Sequence, residues 1–223
     1  MRNTTKALTA LAAVLLLIPS SGLMAQRRRG LVDVSPASER HGFWLNFSGG
    51  AGAENWRFTN EAPSGSCSRP VGAYQCEDNW KPSIALGLGG TVNPNLRLGG
   101  ELNGWIWSHQ DNTSGAHVTS YLASAMLVGQ FYPVSRLGAF VKGGVGLSQS
   151  GEDFYGPDDI SETGFAYLLG AGYEIKLSRS IFLTPMVSLL HHVSTNPDDI
   201  DNLGTFHERV LTIGVGITIQ PGR

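Results

Sequence analysis

The sequence predicts an all-β chain, folded as an eight-stranded antiparallel up-and-down transmembrane β-barrel behind an export signal. Three observations predict it. Hydrophobicity of period two recurs in eight segments, and the connections between them alternate between short and long. The N-terminus carries the layout of a cleaved secretory signal.

Arg2 and Lys6 precede an apolar run from Ala7 to Ile18 that only Thr9 interrupts. Pro19, Ser20, Ser21 and Gly22 break it, and Leu23-Met24-Ala25 places a small residue before Gln26. This arrangement reads as a signal peptide over residues 1–25. The run is too short to cross ~30 Å of hydrocarbon, which takes ~20 residues of helix. Residues 26–40 form a polar segment that opens with Arg27, Arg28 and Arg29, and the barrel is expected over 41–220. No later segment is apolar for long enough to make a membrane helix. Removal of Arg2 and Lys6 takes the formal charge from −2 to −4, a balance that argues against a nucleic-acid partner.

Glycine is abundant, 29 of 223 residues against an average usage of about 7%. These glycines sit inside apolar stretches and alternate with large residues. His41 to Ala53 sets Phe43, Leu45 and Phe47 against Trp44, Asn46 and Ser48. Ser83 to Val92 sets Ile84, Leu86 and Leu88 against Ala85, Gly87 and Gly89. The same alternation fills Leu96 to Trp107, Val118 to Tyr132, Leu137 to Ser148, Gly164 to Ile175, Ser180 to Val193, and Arg209 to Ile219. Each segment suffices for the ~9–11 residues of a tilted membrane strand. One face is apolar with aromatics and the other is small or polar. A water-soluble sandwich would bury its large residues. A glycine-lined face suits the narrow inside of a small barrel.

Asn93-Pro94-Asn95, Pro133 to Arg136, and Leu177 to Arg179 read as tight turns. Glu54 to Pro82, Ser108 to His117, Gly151 to Thr163, and Ser194 to Thr205 read as longer polar loops. Short turns belong on the periplasmic side and long loops outside the cell. Lipid cannot satisfy a free sheet edge, so the strands must close on themselves.

With these segments in view, His41 to Ile219 resembles the small outer-membrane barrels of the OmpA transmembrane-domain, OmpX and opacity-protein type. The resemblance rests on the strand and loop rhythm, the LGLGG and FVKGGVGL segments, and the aromatic-proline turn Phe131-Tyr132-Pro133. It implies a bacterial outer-membrane location, with outer-membrane lipids and lipopolysaccharide as surroundings. Such barrels usually end in a strand with a terminal aromatic, whereas this chain reads Ile217-Thr218-Ile219-Gln220 there.

Several constellations could carry function. Arg97, Glu101, Lys142 and Glu174 fall on the expected inward face, and their charges sum to zero. They read as a paired or hydrated polar plug, or as the lining of a narrow pore. Cys67 and Cys76 in the first long loop suit one disulfide in an exported protein. Glu152, Asp153, Asp158, Asp159 and Glu162 make the third loop acidic, and Asp198, Asp199 and Asp201 the fourth. Oxygen-rich clusters suit hard cations, but the spacing matches no compact calcium loop, so no metal is expected. Trp56, Phe58, Tyr74, Trp80, Phe154 and Tyr155 lie in or beside the loops, either as an interfacial girdle or as a recognition surface.

The sharpest catalytic candidate is His192-Val193-Ser194 near the outer end of the seventh strand, with Glu208 on the eighth. His and Ser two apart share a face, so an imidazole could activate the hydroxyl and a carboxylate could orient the imidazole. The set resembles the PagL type of lipid A deacylase, which carries a His-x-Ser pair and a Glu on these strands. Here Thr195 follows the Ser where that type has Asn, and alternation places His192 inward. The glycine strings lie within strands, so they fail the strand-to-helix context of a nucleotide fingerprint. The expectation is therefore a structural or surface-binding outer-membrane barrel with a possible extracellular ligand and no cofactor. A lipid A esterase and a narrow pore are the alternatives.

Overall fold

A computed structural model describes residues 40–58, 80–110, 117–135, 137–154, 160–195 and 204–220. The signal segment, the polar segment up to residue 39, and both cysteines lie outside the described residues. Eight long strands carry the fold: β1 (Phe43–Phe58), β2 (Trp80–Asn93), β3 (Leu96–Gln110), β4 (His117–Phe131), β5 (Ala139–Phe154), β6 (Ile160–Tyr173), β7 (Ile181–Thr195) and β8 (Thr205–Ile219). A two-residue ladder, Ile175–Lys176, prolongs β6 beyond Glu174 and pairs with Leu183 and Phe182.

Each strand pairs antiparallel with its successor. The last returns to the first, from Leu45 facing Ile219 to Phe58 facing Phe206. The sheet is therefore a closed eight-stranded up-and-down barrel, the class the alternation implies. Closure pairs every strand on both sides, which is what a spanning sheet requires in lipid. The tight turns are fixed locally. Asn95 donates its N–H to the Asn93 side chain at 2.9 Å, and Leu137 N–H reaches the Val134 carbonyl at 2.9 Å.

The polarity is inverted relative to a soluble protein. Leu127 is 74% exposed and Phe47 57%, whereas Trp44, Arg97 and His192 are 0% exposed. Apolar side chains stand out towards lipid, and polar ones are enclosed by the wall.

Two expectations need correction. The strands run further outward than the hydrophobic alternation. Glu54 to Phe58, Trp80 to Pro82, Ser108 to Gln110, Gly151 to Phe154, Ile160 to Thr163, Ser194, Thr195 and Thr205 are strand rather than loop. Above the apolar band the outward face is no longer uniformly apolar, so the ladder continues without the alternation that would reveal it. Trp56, Phe58, Trp80 and Phe154 consequently lie on strands, while Tyr74 and Tyr155 fall outside the described residues.

The inward face is also not merely small or polar. Trp44, Trp105, Leu122, Met126, Val128, Leu168, Leu190 and Val210 form a buried apolar cluster. Glycine makes room for it. A Cβ on Gly87 would meet the Trp44 ring at 3.1 Å, and one on Gly52 would meet Trp105 at 2.7 Å. The glycines are the holes into which two inward indoles fit. Trp105 Nε1 donates to the Gly52 carbonyl at 3.1 Å.

This fit yields a prediction. Gly87→Val should lower the fraction that folds in detergent, with an overpacking cost of about 1–3 kcal/mol. Adding Trp44→Ala to that variant should restore part of the loss. The fast-migrating folded band on unheated gels reads both.

Candidate functional site

The inner end of the barrel is closed by a polar network that draws on distant parts of the chain. Arg97 on β3 donates to Glu174 Oε1 at 2.5 Å, to the Tyr132 hydroxyl at 2.8 Å and to Gln220 Oε1 at 2.5 Å. Tyr132 in turn lies 3.0 Å from Glu174 and 3.1 Å from Gln130. Its phenol accepts from Arg97 and has one proton to give, for which the carboxylate is the stronger acceptor. Arg40, just before β1, adds a second cation. Its Nε lies 3.3 Å from Glu174 Oε2, and its other nitrogens donate to the Ser135 and Leu137 carbonyls at 2.6 and 2.9 Å. The Arg40 guanidinium also stacks on Tyr132, 3.6 Å from the ring centroid. Gln220 Nε2 donates to the His41 carbonyl at 2.7 Å, which ties the end of the last strand to the start of the first.

One layer further out, Lys142 Nζ bridges both Glu101 oxygens at 2.8 and 2.9 Å. The four inward charges expected from the sequence thus resolve into two ion pairs at different heights, Arg97–Glu174 and Lys142–Glu101, all buried. Above them is a cavity of about 30 Å³ lined by Ser48, Ser83, Asn103, Lys142, Ser188 and Thr212. That is room for roughly two waters.

The outer mouth holds the remaining candidates. His192 and Glu208 face each other across β7 and β8, both buried. His192 Nδ1 is bonded to the Ser148 hydroxyl at 2.6 Å, and Ser194 donates to Glu162 Oε2 at 2.5 Å. Imidazole and carboxylate thus occupy facing register positions, but His192 Nε2 has no hydrogen-bond partner among the described residues, and the serine on the imidazole is Ser148 of β5. Ser194 is 3% exposed and lies inside the wall, whereas the acyl chains of a lipid lie outside it. His191, one residue away, is on the outward face. It bonds Tyr167 through Nδ1 and His207 through Nε2 at 3.3 Å.

Glu152 and Asp153 belong to β5, and Glu162 belongs to β6. Asp158, Asp159, Asp198, Asp199 and Asp201 lie outside the described residues, as do Cys67 and Cys76. Among the described residues no group of three or more His, Cys, Asp or Glu is placed to hold a metal ion.

Residues 12–218 match the outer membrane protein beta-barrel domain family. The chain belongs to that family. It is accordingly a bacterial outer-membrane barrel. Neisserial surface protein A is 11% identical, with 81% of this chain and 97% of that one covered at a TM-score of 0.50. Ail, the attachment invasion locus protein of Yersinia pestis, is 11% identical, with 80% and 99% covered at 0.49. OprG from Pseudomonas aeruginosa is 14% identical, with 83% and 100% covered at 0.45. At such identities the likeness is one of fold. No curated protein matches the sequence.

Alternation alone missed Arg40, Tyr132 and Gln220. Tyr132 and Gln220 continue the inward parity of Gln130 and Thr218 past the strand ends, so extending the count by one step finds them. Arg40 precedes the first strand and follows no period.

Two predictions come from the inner network. Arg97→Ala leaves Glu174 buried with a weaker counter-charge and should cost about 3–5 kcal/mol. Arg40→Ala should cost less, because Arg97 still serves the carboxylate. Urea unfolding in detergent micelles measures both.

Burial, reinforced by the Glu174 carboxylate, pushes the Tyr132 phenol well above its ordinary 10.0. The unfolded phenol ionises at its ordinary value, so this group's contribution is intact below that pH. It is lost as pH rises towards the folded value, by about 1.4 kcal/mol per pH unit. Wild type should therefore lose stability more steeply than Tyr132→Phe between pH 10 and about pH 11. Equal slopes in urea titrations would contradict the assignment.

Proposed function

We propose that this barrel is a closed membrane anchor that holds a loop-bearing collar above the outer surface for binding an extracellular ligand. The occluded interior is the observation that carries this reading. Two stacked ion-pair layers and an apolar cluster fill the bore, and the inner end is sealed by Arg40, Tyr132 and Gln220. A solute path through the wall would have to break buried pairs.

Strand length supports the second half of the reading. β1 has 16 residues. At ~3.3 Å per residue and a tilt near 40° it rises roughly 40 Å, against an apolar band of ~25 Å. The excess is polar and carries the four longer connections on the outer side. Two of these connections are acidic, one with Asp158 and Asp159 beside Glu152 and Asp153 at the end of β5, the other with Asp198, Asp199 and Asp201, which favours a basic ligand over a polyanion.

A lipid-cleaving role receives less support, because Ser194 is inside the wall and bonded to Glu162 rather than His192.

Refolded protein in planar bilayers should show no stepwise conductance. Cells displaying it should bind immobilised basic proteins more than acidic ones. That preference should vanish when Asp198, Asp199 and Asp201 are changed to Asn, with the folded gel band retained. Regular single-channel steps in the wild type would replace this reading with the pore. Loss of a lipid A acyl chain that depends on Ser194 would replace it with the esterase.

A further inference from the structure

The outward face of β6, β7 and β8 carries a polar cluster that the closed-anchor reading leaves without a role. Tyr167, His191 and His207 form a continuous chain. The Tyr167 and His191 rings meet edge-on with centroids 4.6 Å apart, and those of His191 and His207 lie 5.5 Å apart. A phenol is the proton donor at neutral pH, so His191 Nδ1 accepts from it. The other ring nitrogen of His191, Nε2, lies 3.3 Å from Nδ1 of His207, so the three side chains are linked in series.

Arg209 completes the cluster. It faces His191 across β7 and β8, and Asn55 across β8 and β1. Its side chain is exposed, with no ion-pair partner among the described residues. The facing and flanking outward register positions hold Asn55, Arg57, Val193 and Thr163, none of them acidic. A guanidinium and two linked imidazoles therefore share one side of the barrel.

Their height is informative. Along β8 the outward residues below Arg209 are Leu211, Ile213, Val215, Ile217 and Ile219, all apolar. Along β7 the residues below His191 are Leu189, Val187, Pro185, Leu183 and Ile181. The cluster sits where the apolar band ends on the side of the long connections, which is the headgroup level of the outer leaflet. The anion offered there is a phosphate on the glycolipid of that leaflet. Guanidinium and N–H groups are the donors that recognise phosphate oxygens.

We propose that Arg209, with His207 and the His191–Tyr167 pair behind it, forms a binding site for a phosphate of the outer-leaflet glycolipid. Arg209 forms the charged contact. The Tyr–His–His contacts hold the imidazoles in place beside the guanidinium before the lipid arrives. The inference rests on the membrane location and is independent of the loop-binding reading.

Native mass spectrometry of refolded protein in detergent, titrated with hexa-acyl lipid A, tests it. Wild type should retain one lipid A, and Arg209→Ala should weaken that binding about tenfold. Removing the lipid A phosphates should weaken wild-type binding by a similar factor and Arg209→Ala hardly at all. His207→Gln, which keeps a donor, should lose less than His207→Leu. Arg209 is exposed, so its variant should keep the folded gel band. Equal binding by wild type and Arg209→Ala, or indifference to the phosphates, would overturn the proposal. Equal retention of phosphatidylglycerol would overturn the glycolipid assignment and leave a general phosphate contact.

Discussion

Glu174 is a carboxylate enclosed at the inner end of a membrane barrel, and it constrains everything around it. A buried charge in such a place is costly unless it is paired and hydrogen-bonded. Arg97, Arg40 and Tyr132 all converge on it. Arg97 in turn needs Gln220, and Gln220 reaches the backbone of His41. One acid thereby fixes the positions of side chains from β3, from the turn after β4, from just before the first strand and from just after the last. The same convergence seals the bore, so the requirement that makes the fold specific also denies it a channel.

Above that floor the interior changes character by layers. Lys142 and Glu101 form a second neutral pair, and the Trp44 and Trp105 indoles lodge against glycines. Small hydroxyl and amide groups then surround a pocket of water size, and two separate pairs, His192 with Ser148 and Ser194 with Glu162, are bonded near the mouth. The outer wall has its own gradient, apolar across the band and polar at the collar. Arg209 and the Tyr167–His191–His207 chain lie at the boundary between the two.

The barrel was legible in the sequence because lipid imposes a strict rule. Wherever one face meets hydrocarbon and the other meets a crowded interior, residues alternate, as at Phe43 to Phe47 and Leu211 to Ile219. The rule lapses where the outward face leaves hydrocarbon, and there Ser108 to Gln110 and Ile160 to Thr163 read as loop although they are strand. Parity placed Arg97, Glu101, Lys142 and Glu174 inside, but it carries no information on pairing. Which cation meets which acid depends on strand stagger and side-chain reach. The bond from His192 to Ser148 on a strand far away in sequence was invisible for that reason, as was the diversion of Ser194 to Glu162. Arg40 lay beyond any periodic signal, and only the folded chain brings it under Tyr132.

The inner network also acts as a completeness check on assembly. Its members come from before the first strand, from β3, from the turn after β4, from the end of β6 and from after the last strand. Until β8 has zipped onto β1, Gln220 is absent from Arg97, and Arg40 has no closed rim to lie across. A barrel with seven strands in place would thus hold charges that lack part of their partnership, and the deficit ends only when the ring shuts. Closure is rewarded by electrostatics inside the wall as well as by the backbone bonds along the seam.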